Sequence, residues 1–119
     1  MSSRFTELAV DCRDPVRLAG FWCEVLGWRV TETEPGLVEI AGDDPGPSIV
    51  FVEVPEPKTV KNRVHIDVSP RDREQADEVD RILGLGARRA DVGQGDDASW
   101  VVLADPEDNE FCVLSTRRP

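Results

Sequence analysis

Histidine occurs once in the 119 residues of this chain and cysteine three times, and no run is apolar and long enough for a signal peptide or a membrane span. Each scarcity removes a class of function. A single histidine, His65, and no nucleophile-elbow motif leave no basis for a serine or cysteine nucleophile with its base. Cys12, Cys23 and Cys112 are odd in number and stand in no CxxC or CxxH spacing, which sets aside a disulfide framework and a structural zinc knuckle. The thiols are expected to be reduced and the protein cytoplasmic. Basic residues number 14 against 24 acidic ones, for a formal net charge of −10. Nucleic acid and anionic membranes select basic patches, so neither is an expected partner. If a charged ligand binds, the balance favours a cation.

What is present is a repeated pattern. Residues 62–69, NRVHIDVS, alternate strictly, with Val64, Ile66 and Val68 on one face and His65, Asp67 and Ser69 on the other. Residues 6–11, TELAVD, repeat the alternation half a chain earlier, with Glu7 in the place of His65. Each strand leads through an Arg-Asp pair, Arg13-Asp14 or Arg71-Asp72, into an amphipathic stretch that ends in Leu-Gly. In the first copy Asp14 and Pro15 are N-cap and first-turn residues, and Leu18, Phe21, Trp22, Val25 and Leu26 make one apolar stripe that Gly27 ends. Strands over 28–33, 36–41 and 48–54 follow.

Prolines 55 and 57 mark an extended linker, after which the order recurs. Asp72 with Gln75 reads as a capping box, Ala76, Val79, Ile82 and Leu83 as a helical stripe, and residues 87–92, 99–104 and 110–115 as strands. Gly84 and Gly86 end a helix and form no phosphate loop; Asp105-Pro106-Glu107-Asp108-Asn109 reads as a strand-joining turn and not a calcium loop. The expected architecture is therefore α+β, two βαβββ modules over about 5–54 and 62–116. Sixty residues are marginal alone, so residues 1–119 are expected to form one domain. A sheet face carrying Ala9, Phe51, Trp100 and Val102 together with Glu7, His65 and Asp67 has the mixture expected of a small-molecule cleft.

FWCEVLGW, RVHIDV, LGA and WVVLADPEDNEFCVL, in that order and on an internal repeat, resemble the vicinal oxygen chelate superfamily, which includes glyoxalase I, bleomycin-resistance proteins and extradiol dioxygenases. The resemblance is strongest to small glyoxalase-like domains and spans residues 5 to 116. It implies modules whose strands curl into an incompletely closed barrel, and a homodimer. It also implies divalent-metal ligands on the first and last strands of each module. Those positions fall on Glu7, on Phe51 or its neighbour Val50, on His65 and on Cys112. The superfamily commonly has histidine or glutamine at the first of these and glutamate at the last.

Two readings of these residues stay open. His65 and Glu7, with Cys112, are arms of a divalent-metal site for zinc, nickel, iron or manganese; or they are a hydrogen-bonded pair across adjacent strands, with Cys112 a small core residue. Trp100 and Phe51 are candidates for contact with an aromatic or cationic small molecule, with Asp67 beside them, whereas Trp22 belongs to the core. In function, the first reading is a metal-dependent lyase, isomerase or dioxygenase acting on vicinal oxygens. The second is a metal-free protein that sequesters its ligand, as bleomycin-resistance proteins do.

Overall fold

In a computed structural model, which describes residues 1–91, 93, 95 and 98–115, the chain divides into two compact units, Met1–Pro57 and Lys58–Pro119. Each carries one helix and one four-stranded sheet, an α+β architecture. No described helix is long and apolar enough to cross a membrane.

The first unit runs β1 (Glu7–Cys12), α1 (Pro15–Leu26), β2 (Arg29–Glu34), β3 (Leu37–Ala41) and β4 (Ser48–Glu53). Helix α1 starts where the sequence requires. The Asp14 carboxylate accepts the Arg17 N–H at 3.1 Å, and Pro15 occupies a first-turn site that needs no donor. Gly27 ends it in the left-handed conformation, φ 69°, which a side chain would strain. Leu18, Phe21, Trp22 and Val25 are buried against β3 and β4, about 2 kcal/mol of transfer free energy each.

Sheet order is β1-β4-β3-β2, with β1 parallel to β4 and the other pairs antiparallel. Register puts Val10 opposite Phe51 and Phe51 opposite Val38, so these three share the apolar face. Behind β3, Trp28 lies so close over Gly42 that an added Cβ would fall 2.7 Å from its indole nitrogen.

The second unit repeats the order with shorter strands: β5 (Asp67–Val68), α2 (Gln75–Gly84), β6 (Arg88–Arg89), β7 (Val101–Ala104) and β8 (Glu110–Val113), in sheet order β5-β8-β7-β6. Of the strand expected over 62–69, only Asp67 and Val68 are ladder residues, extended by Cys112 N–H to Ile66 carbonyl and Leu114 N–H to Val68 carbonyl bonds of 2.9 and 2.8 Å. The preceding segment is held differently. Asn62 donates its backbone N–H to the Glu110 carboxylate at 2.7 Å, and Lys58 pairs with the other oxygen at 2.6 Å. A side chain has taken the donor that a neighbouring strand would have used, and Val64, expected on the apolar face, is exposed.

The expected capping box also fails. Helix α2 begins two residues later, with Glu74 at its N-cap and no side-chain cap, and the Gln75 amide donates instead to the carbonyls of Ser99 and Val113, both at 3.0 Å. Ala76 is exposed and the buried stripe is Val79 and Ile82, with Glu78 beside them forked onto Arg81. Between β7 and β8, buried Asp105 accepts the backbone N–H groups of Glu107 and Asn109 at 2.9 and 3.0 Å, closing the turn that the sequence implies. Of the strand expected over 87–92, Val92 lies outside the described residues.

Candidate functional site

Alternation in β8 separates its side chains cleanly. Phe111 and Val113 point to the buried apolar face with Val68 and Leu103, and Cys112 points to the other. Register then fixes its neighbours, since Cys112 stands opposite Asp67 on β5 and opposite Val102 on β7. His65 precedes Asp67 by two residues and shares its face.

The three side chains converge. His65 Nδ1 lies 3.1 Å from Asp67 Oδ1 and 4.0 Å from Cys112 Sγ, and one ligand atom from each falls within 4.8 Å of the others. The His65 and Asp67 side chains are each 46% exposed, while Cys112 is 7% exposed. The cluster thus has a buried sulfur floor and an open nitrogen and oxygen rim. Burial, then the charge of Asp67 and a hydrogen bond to it, push the Cys112 thiol up to about 11, and the opposing pull of Lys61 does not offset them.

This geometry fits a metal ion. Tetrahedral coordination at zinc-type bond lengths separates nitrogen from oxygen by about 3.4 Å and nitrogen from sulfur by about 3.6 Å. The observed 3.1 and 4.0 Å are each within a few tenths of those values. Imidazole, carboxylate and thiol together suit a borderline or soft divalent ion. Three protein donors also leave a fourth position for a ligand.

The remaining candidates stand on other elements. Glu7 begins β1 in the first unit, exposed, with Ser48 as its register partner. β1 and β5 are not ladder partners, since β1 pairs with β4 and β5 with β8, which corrects the expected strand adjacency; within its own unit His65 bonds Asp67, two residues along. Phe51 corrects another expectation. It is 1% exposed on the apolar face with Val10 and Val38, so its ring fills the core of the first unit, and Val50 is the residue on the face of Glu7. Trp22 is core as expected. Trp100, 41% exposed, stands immediately before β7, two positions from Val102.

The sequence places Asp67 among the ligand-contact candidates and not among the metal donors, although the spacing His-Ile-Asp puts both side chains on one face. Its register with Cys112 was not in that spacing. Glu110, which fastens residues 58–62 beside the cluster's strand, carried no sequence signal of its own.

The model of the glyoxalase-like domain matches residues 7–114. Among solved structures, the chain resembles a glyoxalase/bleomycin resistance protein/dioxygenase family enzyme from Burkholderia phytofirmans, at 21% identity and TM-score 0.70, over 93% of this chain and 97% of that one. It resembles the fosfomycin resistance protein FosX of Mesorhizobium loti at 14% identity and TM-score 0.73, over 98% and 94%. FosX of Listeria monocytogenes, in complex with Mn(II) and sulfate, aligns at 13% identity and TM-score 0.76, over 98% and 93%. No curated protein sequence matches the chain.

Proposed function

Because this chain belongs to the glyoxalase-like domain family, we propose that it binds a small oxygen-bearing molecule at a divalent-metal site formed by His65, Asp67 and Cys112. The observation that carries the reading is the convergence of three chemically different donors within 4.8 Å. When bound, the ion supplies Lewis acidity to an oxygen-bearing ligand. The protein supplies position. The parallel β5–β8 ladder holds Asp67 opposite Cys112, and buried Val68 and Val113 hold the ladder. Val102 closes the apolar side of the face and Trp100 offers an aromatic surface near it. The Mn(II) complex of FosX supports a metal in this fold, although that protein is distant in sequence. A homodimer and a cytoplasmic location belong to the same reading through the family pattern.

One observation favours the metal-free alternative. Cys112 is 7% exposed with Val102 as its ladder partner, and a buried thiol in such surroundings behaves as a small apolar residue, as it would in a protein that only sequesters its ligand. Elemental mass spectrometry decides between the two. Untagged protein purified without chelator is expected to carry close to one divalent ion per chain, lost in His65→Ala. No metal in the parent protein, even after incubation with excess zinc, nickel, iron or manganese, would remove the metal reading and leave sequestration.

A further inference from the structure

We infer that the centre is a thiolate site, complete within the second unit, that selects thiophilic divalent ions of the zinc, cobalt and cadmium type over manganese and magnesium, with Asp67 as its third protein ligand. The inference rests on the metal reading above and goes beyond it in naming the class of ion that the site selects.

Asp67 is assigned by placement. It shares a face with His65 and a ladder position with Cys112, and its carboxylate is already in contact with the imidazole at 3.1 Å. An ion held between Nδ1, Oδ1 and Sγ would take the place of that hydrogen bond. Sulfur decides selectivity. A thiolate suits zinc, cobalt or cadmium, whereas manganese and magnesium suit sites of oxygen donors.

Charge and protons balance. The imidazole gives up the Nδ1 proton of its hydrogen bond with Asp67 and carries its proton at Nε2 instead, which frees the Nδ1 lone pair; the Asp67 carboxylate binds as the anion, and Cys112 loses its thiol proton to solvent as the sulfur–metal bond forms. A divalent ion then meets one carboxylate and one thiolate, and the centre is neutral. The 7% exposure of Cys112 makes that neutrality important, because an unpaired thiolate would be strongly disfavoured there.

The test is a titration of the full, metal-stripped chain with Co(II), followed by absorption. The expected result is one tetrahedral cobalt per chain with an intense near-ultraviolet thiolate-to-cobalt band, displaced by one equivalent of Zn(II) and undisturbed by the same concentration of Mn(II). Cys112→Ser should abolish the band and weaken zinc binding by about tenfold or more. Asp67→Asn should keep the band and weaken binding by about tenfold, the usual order for losing an anionic group at such a site. Cys112→Glu, which exchanges the sulfur for a hard oxygen donor, should reverse the order and favour Mn(II); a native circular-dichroism spectrum guards each variant against misfolding.

Cobalt bound without the thiolate band, or Mn(II) held more tightly than Zn(II), would overturn the inference and leave the metal reading standing. Loss of affinity in Glu7→Gln with none in Asp67→Asn would overturn the assignment of Asp67. If no ion binds to the parent chain at any concentration tried, both readings fall together.

Discussion

At the scale of single residues, Cys112 carries the most consequence, because its neighbours make its ionisation unfavourable. Burial first, then Asp67, hold the folded thiol at about 11, above the roughly 8.5 of a thiol in an unfolded chain. The sign follows directly. As pH rises past the unfolded value, the unfolded chain releases this proton first, binds fewer protons than the folded chain, and gains stability relative to it. The contribution of Cys112 is therefore intact below about pH 8.5 and declines until the folded thiol also ionises near pH 11. In urea melts of metal-free protein, the parent should lose stability over this interval more steeply than Cys112→Ala. Parallel curves would show that neither burial nor Asp67 raises the thiol in the folded chain.

Among the elements, legibility tracks how local the determining interactions are. Helix α1 was readable to the residue because its cap, its proline, its stripe and its terminal glycine all lie within one continuous segment. Helix α2 was read correctly as a helix and incorrectly at its start. Gln75 resembles half of a capping box, but its amide is used 24 and 38 residues away, on Ser99 and Val113, and no local pattern records such partners. The strand over 62–69 was overextended for the same reason, since Glu110 holds Asn62 from 48 residues away. For the site, the His65–Asp67 spacing was legible and the Cys112 register was not. Phe51 was placed on the wrong face because a continuous apolar run, Ile49 to Val52, carries no period to choose one.

The contrast at α2 gives a measurable difference. Gln75→Ala removes two hydrogen bonds to backbone carbonyls and should cost about 1–2 kcal/mol. Asp72→Ala removes only an exposed ion pair with Arg73 and should stay within about 0.5 kcal/mol. A capping box would reverse that order, with the N-cap aspartate losing about 1 kcal/mol. Chemical denaturation of the two variants separates the cases.

Over the whole molecule, the repeated units share a chain order but differ in charge. The first holds four basic residues against eleven acidic and the second ten against thirteen, so the acidity that suggested a cationic ligand belongs mainly to the unit without the metal candidate. Their responses to acid should differ in sign. In the first unit a hydrogen bond with Glu34 and its charge, then desolvation and the charges of Glu39 and Glu7, raise Glu32 above the usual carboxylate range. The folded unit therefore takes up that proton before the unfolded chain does, and this contribution to stability grows as pH falls through the raised value.

Glu110 works in the opposite direction. Burial alone would raise it, but the Lys58 and Asn62 hydrogen bonds and the Lys58 charge outweigh burial and hold it below the usual range. Its contribution is present above the unfolded carboxylate value and is lost as pH falls through the lowered folded one. Native-state hydrogen exchange, corrected for the intrinsic pH dependence of each amide and run from neutral pH into the carboxylate range, should show β2–β3 amides holding or gaining protection while β5–β8 amides lose it. Glu110→Gln should flatten the second trend and leave the first unchanged. Equal losses in both sheets would mean that the chain opens as one cooperative unit, with these two carboxylates too weakly coupled to either sheet to be felt separately.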